Sequence, residues 1–185
     1  MDNRIMAEVS RVPTKEYKEH LKFREGFRNY VYLDSLGKPT AGIGHLLTAE
    51  ENERYKVGEV VDEKILSSWL EKDSDKAYSA ALSQAKEAGI SNQRFIDALS
   101  SVNFQLGTGW RKKMPSAWKA IKSGDFDEAI NQIQFKSGVP ETEKSNWFIQ
   151  TPKRVVDFSE ALKEYGDFRQ FTDKDKETVQ SQTNE

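Results

Sequence analysis

Residues 25–48, EGFRNYVYLDSLGKPTAGIGHLLT, decide how the chain folds, and they begin where a helical pattern ends. Tyr17, Leu21 and Glu25 are spaced i, i+4 and i+8, so Glu25 shares a helix face with two apolar side chains. A carboxylate on an inward face is costly unless it is paired or its pKa shifts. Gly26 follows directly and is typical of a helix end.

The rest of this stretch predicts a β-hairpin. YVYLD at residues 30–34 alternates apolar and polar positions, which places Asp34 on the same side of a strand as the two tyrosines. Residues 35–39, SLGKP, are typical of a turn, and residues 40–44 predict the returning strand. A helix end followed by a hairpin can bring Glu25 and Asp34 to opposite walls of one pocket.

Such a pair of carboxylates suits the cleavage of a glycosidic bond, because one acid can protonate the leaving oxygen while the other activates water. The spacing alone decides little, since the chain has 30 acidic residues and many pairs lie nine positions apart. Thr40 adds a hydroxyl at the start of the returning strand. The joint pattern is more informative than any single residue.

That joint pattern resembles the catalytic segment of the T-even-type phage lysozymes, glycoside hydrolase family 24. In that family the corresponding Glu is the general acid, the Asp handles the attacking water and the Thr helps to hold it. The resemblance therefore implies these catalytic roles for Glu25, Asp34 and Thr40. The matching positions need no gap and are Glu25-Gly26, Tyr32, Asp34, Gly37, Thr40 and residues 42–48.

The resemblance continues to about residue 166 and implies further site residues. Its later pieces are NFQLG at 103–107, DEA at 127–129 and NWFIQTPKR at 146–154. It implies a sugar site lined by Leu46 and Phe104. It also implies a group behind the catalytic Glu, formed by Arg154 with Gln150 and Trp147, and a structural ion pair between His45 and Asp73.

Two sugar-contacting positions of the family are changed in this chain. A family Ser aligns with Ala117 and a family Asn aligns with Gln132. Ser116 is the expected substitute for the missing Ser, so Ser116 and Gln132 complete the predicted substrate contacts.

We predict an α+β, mostly helical, lysozyme-like fold in which a long helix joins two lobes. Thr14, Thr48, Asp62 and Ser91 are the expected helix caps, and the helix starting after Asp62 runs to about residue 87. Gly166 is the expected end of the last helix. The predicted divisions are an N-terminal extension at 1–13, a small lobe with the hairpin at 14–61, the linking helix and helical lobe at 62–166, and a polar, flexible tail at 167–185.

The composition of the chain argues against several classes of protein chemistry. The 185 residues include no cysteine and two histidines, which excludes disulfides and thiol chemistry and argues against a zinc amidase. We therefore expect no metal and no other cofactor. A net charge of −2 gives no indication of nucleic-acid binding, and no apolar run predicts membrane insertion. The expected partner is the glycan strand of peptidoglycan, bound by a monomer.

The resemblance implies a muramidase that a phage uses to degrade the host wall by hydrolysing the β-1,4 bond between N-acetylmuramic acid and N-acetylglucosamine. We predict inversion, with the two carboxyl groups about 6.5–9.5 Å apart, because the Thr40 hydroxyl would hold water for a base and has no use beside a direct nucleophile. A lytic transglycosylase and a non-catalytic wall-binding or virion structural protein remain as alternatives. The N-terminus lacks the apolar core of a secretory signal. We therefore expect accumulation in the host cytoplasm and holin-dependent release, with a virion-borne role as the other interpretation.

Overall fold

The structure is a computed structural model that describes residues 9–136 and 143–183, without the side chains of residues 24, 25, 171, 172 and 174–183. It confirms the predicted α+β fold, with helices joined to one small antiparallel sheet. The elements in chain order are α1 Lys15–Glu25, β1 Arg28–Leu33, β2 Pro39–Gly42, β3 His45–Leu46, α2 Ala49–Arg54, α3 Glu63–Glu87, α4 Gln93–Leu106, α5 Trp110–Lys113, α6 Pro115–Ser123, α7 Phe126–Gln134, α8 Asn146–Gln150 and α9 Pro152–Thr183.

The sheet has the strand order β1-β2-β3, and both pairings are antiparallel. The predicted hairpin is present, but its returning strand stops at Gly42 and a separate two-residue strand, β3, follows. The reason is local, since Gly42 and Gly44 have φ values of 62° and 72°, a left-handed conformation that turns the backbone between β2 and β3. Thr40 on β2 consequently has a strand on each side.

The caps predicted at Thr14, Thr48 and Asp62 are confirmed. The Thr14 hydroxyl accepts a hydrogen bond from the Tyr17 amide at the start of α1, and Asp62 accepts one from the Lys64 amide at the start of α3. At α2, Thr48 and Glu51 form a full capping box, in which each side chain accepts from the backbone amide of the other. These bonds satisfy amides that would otherwise lack partners in the first turn of each helix.

Two buried apolar clusters form the core, and α3 supplies both. The smaller cluster combines Leu66 and Trp69 of α3 with side chains from the sheet region, namely Val31, Ala41, Leu47 and Val61. The larger cluster combines the C-terminal part of α3 with α4 to α9. The 25-residue α3 is therefore the predicted linking helix.

Helix α1 belongs to the larger cluster by its packing, although the sequence grouped it with the small lobe. Its buried residues, Tyr17 and Leu21, both lie in the cluster formed by α4 to α9. An apolar pair at i and i+4 favours whichever partner surface buries most area, and the helical cluster offers more than the small sheet does.

Three local features differ from the prediction. Asn92, rather than Ser91, caps α4, because the Asn92 side chain accepts from the Phe95 amide. The short helices α5 and α8 were not predicted. Gly166 does not end α9, which continues to Thr183. A Cβ at Gly166 would lie 3.1 Å from the Phe126 ring, so this glycine serves close packing rather than termination.

All four tryptophans are buried, which agrees with core packing rather than with exposed sugar platforms. Trp110 also closes a buried polar network. The Gln84 and Asn103 side-chain amides bond each other at 3.0 Å in both directions, and the Trp110 indole N–H donates to Gln84 Oε1 at 3.4 Å. Such a network is stable inside a core only when its polar atoms have partners. No helix among the described residues is long and apolar enough to cross a membrane.

Candidate active site

The helix end that carries Glu25 is formed as predicted. Helix α1 finishes at Glu25, and Gly26 follows with a φ of 69°, which turns the chain into β1 two residues later. The Glu25 side chain lies outside the described residues. The distance between the two predicted catalytic carboxyl groups consequently stays a prediction.

Asp34 is half-buried, and its carboxylate is held in the hairpin turn. Its Oδ1 accepts from the backbone amides of Leu36 and Lys38, both at 2.8 Å. Its own amide donates to the Lys38 carbonyl at 2.9 Å. No hydrogen bond reaches Oδ2 from any residue that the structure describes. One oxygen of the carboxylate is thus fixed by the backbone, and the other is available to accept from water.

Thr40 is buried on the central strand and is tied to the same turn. It faces Tyr32 across one strand pairing and Leu46 across the other. Its hydroxyl donates to the Lys38 carbonyl at 3.0 Å, which leaves the oxygen lone pairs to accept a further bond. Asp34 and Thr40 are therefore oriented by the same residue, Lys38, from the two sides of the turn.

The structure brings His45 and Asp73 together and adds a second carboxylate. Nδ1 of His45 lies 2.6 Å from Asp73 Oδ2, and Nε2 lies 2.9 Å from Glu51 Oε2. The imidazole stacks on the Trp69 ring with 4.4 Å between centroids. A neutral imidazole has one N–H, so it would point a lone pair at one of these oxygens, whereas the imidazolium donates to both.

The pKa of His45 follows from this geometry. Burial lowers it, but the hydrogen bonds and the charges of Asp73 and Glu51 outweigh burial and raise the pKa above its usual value. The pKa of Glu51 is lowered: burial raises it, but the hydrogen bonds from Thr48 and the contact with His45 prevail. His45 and Glu51 therefore each favour the charged form of the other.

Sequence reasoning missed Glu51 as a partner of His45, although a signal for it was present. The capping box predicts that the Glu51 carboxylate turns back toward the Thr48 amide, which lies three residues from His45. The same oxygen, Oε2, accepts from both Thr48 N at 2.8 Å and His45 Nε2. The capping box therefore also orients the Glu51 carboxylate toward His45.

The residues predicted to lie behind the acid are placed on α8 and α9. Arg154 is buried, with 7% of its surface exposed, and its Nη1 donates to the Ser101 carbonyl of α4 at 3.1 Å. Trp147 is buried, and its indole N–H donates to Gln105 Oε1 at 2.9 Å. Gln150 is exposed at the end of α8. Trp147 is consequently an anchor between α8 and the core.

The predicted substrate contacts are spread over several elements. Leu46 is 49% exposed on β3, directly beside Thr40. Phe104 is half-buried against the larger cluster, and Gln132 donates to Glu128 at 2.7 Å on α7. Ser116 is exposed on α6, whereas the neighbouring Ala117 is 1% exposed. Ala117 is thus unable to contact a ligand, and Ser116 is accessible to one.

The described part of the chain contains no group of three or more His, Asp and Glu side chains arranged to hold a metal ion. His20 is exposed on α1 and His45 is enclosed by its two carboxylates and Trp69.

The small sheet with its turn-bound Asp34 and buried Thr40, joined by a long helix to a helical core, defines the class of lysozyme-like α+β hydrolases. The chain belongs to the phage lysozyme family, whose model, described as "Phage lysozyme", matches residues 22–143. By family it is a lysozyme hydrolase.

Three curated proteins are similar to this chain. The chain is 30% identical to "Probable T4-type lysozyme 2" of Dictyostelium discoideum, over 80% of this chain and 96% of that protein. It is 28% identical to "Peptidoglycan hydrolase gp36" of Pseudomonas phage phiKMV, over 77% of this chain and 14% of that protein. It is 25% identical to "Pre-baseplate central spike protein Gp5" of Enterobacteria phage T4, over 83% of this chain and 29% of that protein. The chain thus spans a small part of the two phage proteins and nearly all of the Dictyostelium protein.

Proposed function

We propose that this chain hydrolyses the β-1,4 bond between N-acetylmuramic acid and N-acetylglucosamine in bacterial peptidoglycan. The observation that carries the proposal is the shared attachment of Asp34 and Thr40 to the Lys38 backbone. It holds the Asp34 carboxylate and the Thr40 hydroxyl in place at the same hairpin turn. The names of the relatives, a peptidoglycan hydrolase and a T4-type lysozyme, support the substrate.

The reaction assigns one role to each of three residues. Glu25 donates its proton to the glycosidic oxygen as the bond from that oxygen to the anomeric carbon breaks. A water held by Thr40 attacks the anomeric carbon from the opposite face, and Asp34 takes the proton that this water releases. The products are two shorter glycan strands, and a proton has moved in effect from Glu25 to Asp34 before solvent restores both groups.

We propose the inverting route. In retention, Asp34 would itself attack the sugar from a carboxyl group about 5–5.5 Å from the acid, whereas inversion needs about 6.5–9.5 Å to leave space for water. A direct nucleophile has no use for a water-holding hydroxyl beside it. The buried Thr40 hydroxyl, oriented by its bond to Lys38, therefore supports inversion.

Two other functions remain open to test. A lytic transglycosylase would cleave the same bond without water, but the oriented Asp34 and Thr40 would then have no role. A non-catalytic wall-binding or virion structural protein would have no need of them either. One digestion of peptidoglycan distinguishes the hydrolase, the lytic transglycosylase and the non-catalytic protein.

For location, we propose that a phage uses this chain against the host wall. Two of the relatives are phage proteins of which this chain spans 14% and 29%, and one of them is named a central spike protein. Because the chain spans so little of each phage protein, the second candidate is a module carried by a virion. Accumulation in the host cytoplasm with holin-dependent release is the first candidate, and detection of the chain in purified virions would decide between them.

The test of the reaction is mass analysis of the muropeptides released from purified peptidoglycan. Hydrolysis leaves a reducing muramic acid that borohydride converts to an alditol, whereas transglycosylation leaves a 1,6-anhydro sugar lighter by one water. Release of reducing muramic acid supports the proposal. Anhydro products or ends at N-acetylglucosamine contradict it, and absence of any soluble fragment supports the non-catalytic alternative.

A further inference from the structure

The outer side of strand β1 carries an ordered cationic cluster that the proposed reaction does not use. The Arg28 guanidinium lies over the Tyr32 ring, with 4.2 Å from Cζ to the ring centroid. The Tyr30 ring meets Tyr32 edge to face, with 6.4 Å between centroids. Arg28, Tyr30 and Tyr32, here called the Arg28 cluster, therefore form one contiguous surface on the hairpin.

This surface continues into the proposed active site. Tyr32 pairs directly with Thr40 across β1 and β2, and Asp34 follows Tyr32 by two positions along the chain. Residues directly opposite each other on paired strands lie side by side on one face of the sheet. The Arg28 cluster thus borders the two groups proposed to hold the attacking water.

Arg28 has no acidic partner among the residues that the structure describes. Asp34, the first acidic residue after β1, is instead held by the turn amides of Leu36 and Lys38, and the Glu25 side chain lies outside the described residues. The cation–π contact with Tyr32 positions the guanidinium, and its planar fork of N–H groups is the donor geometry that suits a carboxylate. Within the described part of the chain, Arg28 is therefore positioned by Tyr32 and is not neutralised by a carboxylate.

We propose that Arg28 binds a carboxylate of the peptide stem carried by muramic acid, an inference that rests on the proposed substrate. The stem is attached to the sugar on one side of the scissile bond, and it carries ionised carboxylates at neutral pH. A ligand that occupies the Asp34–Thr40 site therefore brings these groups alongside β1. The chain has a net charge of −2, so a general attraction to an anionic wall is weak and a single positioned cation matters more.

The test compares one glycan fragment in two charge states. Peptide-bearing strands of a few disaccharides are used either ionised or after their carboxyl groups have been converted to amides, which removes the charge and keeps the glycan. Dissociation constants are measured by calorimetry in a Glu25→Gln background, so that no strand is cleaved. We expect about tenfold tighter binding of the ionised strands, as one charge-assisted hydrogen bond supplies.

Variants then assign that preference to Arg28. Arg28→Gln should abolish it, so that both strands bind as the amidated strand binds to the parent, and Arg28→Lys should keep part of it because the charge remains but the planar fork is lost. Arg54→Gln is the matched control, since Arg54 is an exposed arginine of the same lobe whose charge is already paired with Glu50 at 2.9 Å. Arg54→Gln should leave the preference for ionised over amidated strands unchanged.

The outcomes separate this inference from the proposed function. If the parent binds both strands equally, or if Arg28→Gln retains the preference, Arg28 does not bind the stem, whatever the chain does to the glycan. If muropeptide analysis finds no hydrolysis while the Arg28-dependent preference is present, the chain binds peptidoglycan through Arg28 and the catalytic proposal alone fails. A loss of preference in Arg54→Gln as large as in Arg28→Gln would overturn the inference in favour of general electrostatics.

Discussion

Replacement of Asp73 by Asn should destabilise the protein more at about pH 5 than at about pH 9. The substitution keeps the size of the side chain and an oxygen that can accept from His45 Nδ1, but it removes the charge. The imidazolium would then retain Glu51 as its only carboxylate partner among the described residues. The change therefore isolates the ionic part of the 2.6 Å contact.

The pH dependence follows from the direction of the His45 shift. A group whose pKa is raised on folding contributes stability that is fully present below its unfolded value, about 6.5, and is lost as pH rises through the folded value. The lowered pKa of Glu51 has the opposite sense, so its contribution holds above about 4.3, its unfolded value, and is lost at lower pH. At about pH 5 both contributions are present, and at about pH 9 that of His45 is gone.

The magnitude follows from the type of bond and its burial. A hydrogen bond to a charged group contributes about 1.5–3 kcal/mol, whereas a neutral one contributes about 0.5–1.5 kcal/mol. The His45 side chain is 10% exposed and the Asp73 side chain 31%, so solvent weakens the pair only in part. We expect a loss of about 2 kcal/mol at pH 5, or about 4–8 °C in Tm for a domain of this size, and less than about 1 kcal/mol at pH 9.

The assay is urea unfolding monitored by circular dichroism at both pH values, with Asp75→Asn as the control. Asp75 is an exposed residue of the same helix, so its replacement changes the net charge equally without touching His45. Equal losses at both pH values for Asp73→Asn would refute the ion pair. A similar pH dependence for Asp75→Asn would show that net charge, and not the contact, is responsible.

Three further predictions concern catalysis and the hairpin. Glu25→Gln should reduce activity on peptidoglycan by about two to four orders of magnitude with the fold intact by circular dichroism, whereas Glu19→Gln on the same helix should not; more than about a tenth of parent activity in Glu25→Gln would exclude its role as the acid. NMR of the first product should show the α-anomer from the β-linked strand, and a β-anomer or a glycosyl adduct on Asp34 would establish retention instead. Gly42→Ala should lower the free energy of unfolding in urea by about 1–3 kcal/mol, since the φ of Gly42 is 62° and the new Cβ would lie 3.2 Å from Leu66 Cδ2. The control Gly109→Ala, where a new Cβ meets no atom within 4 Å, should lower it by less than about 1 kcal/mol. Similar losses for the two variants would contradict the assignment of strain to Gly42.

Local structure was the part of the fold that could be predicted most fully. The caps at Thr14, Thr48 and Asp62 were predictable because a cap depends on a side chain and an amide two or three residues away. Glycine positions predicted helix ends less reliably. Gly26 does end a helix, but Gly166 sits inside one, because a missing Cβ serves close packing against Phe126 as well as it serves termination.

The candidate site likewise combines features that local sequence predicts with contacts that only the folded structure shows. The residue types and their spacing along residues 25–48 determined the family, the hairpin and the candidate roles of Glu25, Asp34 and Thr40, because neighbours in the chain remain neighbours in the fold. Only the tertiary structure decided that Glu51 joins Asp73 around His45 and that Trp69 covers this imidazole. It also decided that Arg28 lies over Tyr32 and that α1 packs into the larger core. These contacts depend on the direction in which each side chain leaves its helix or strand and on which surface buries most apolar area, and neither is encoded by local spacing.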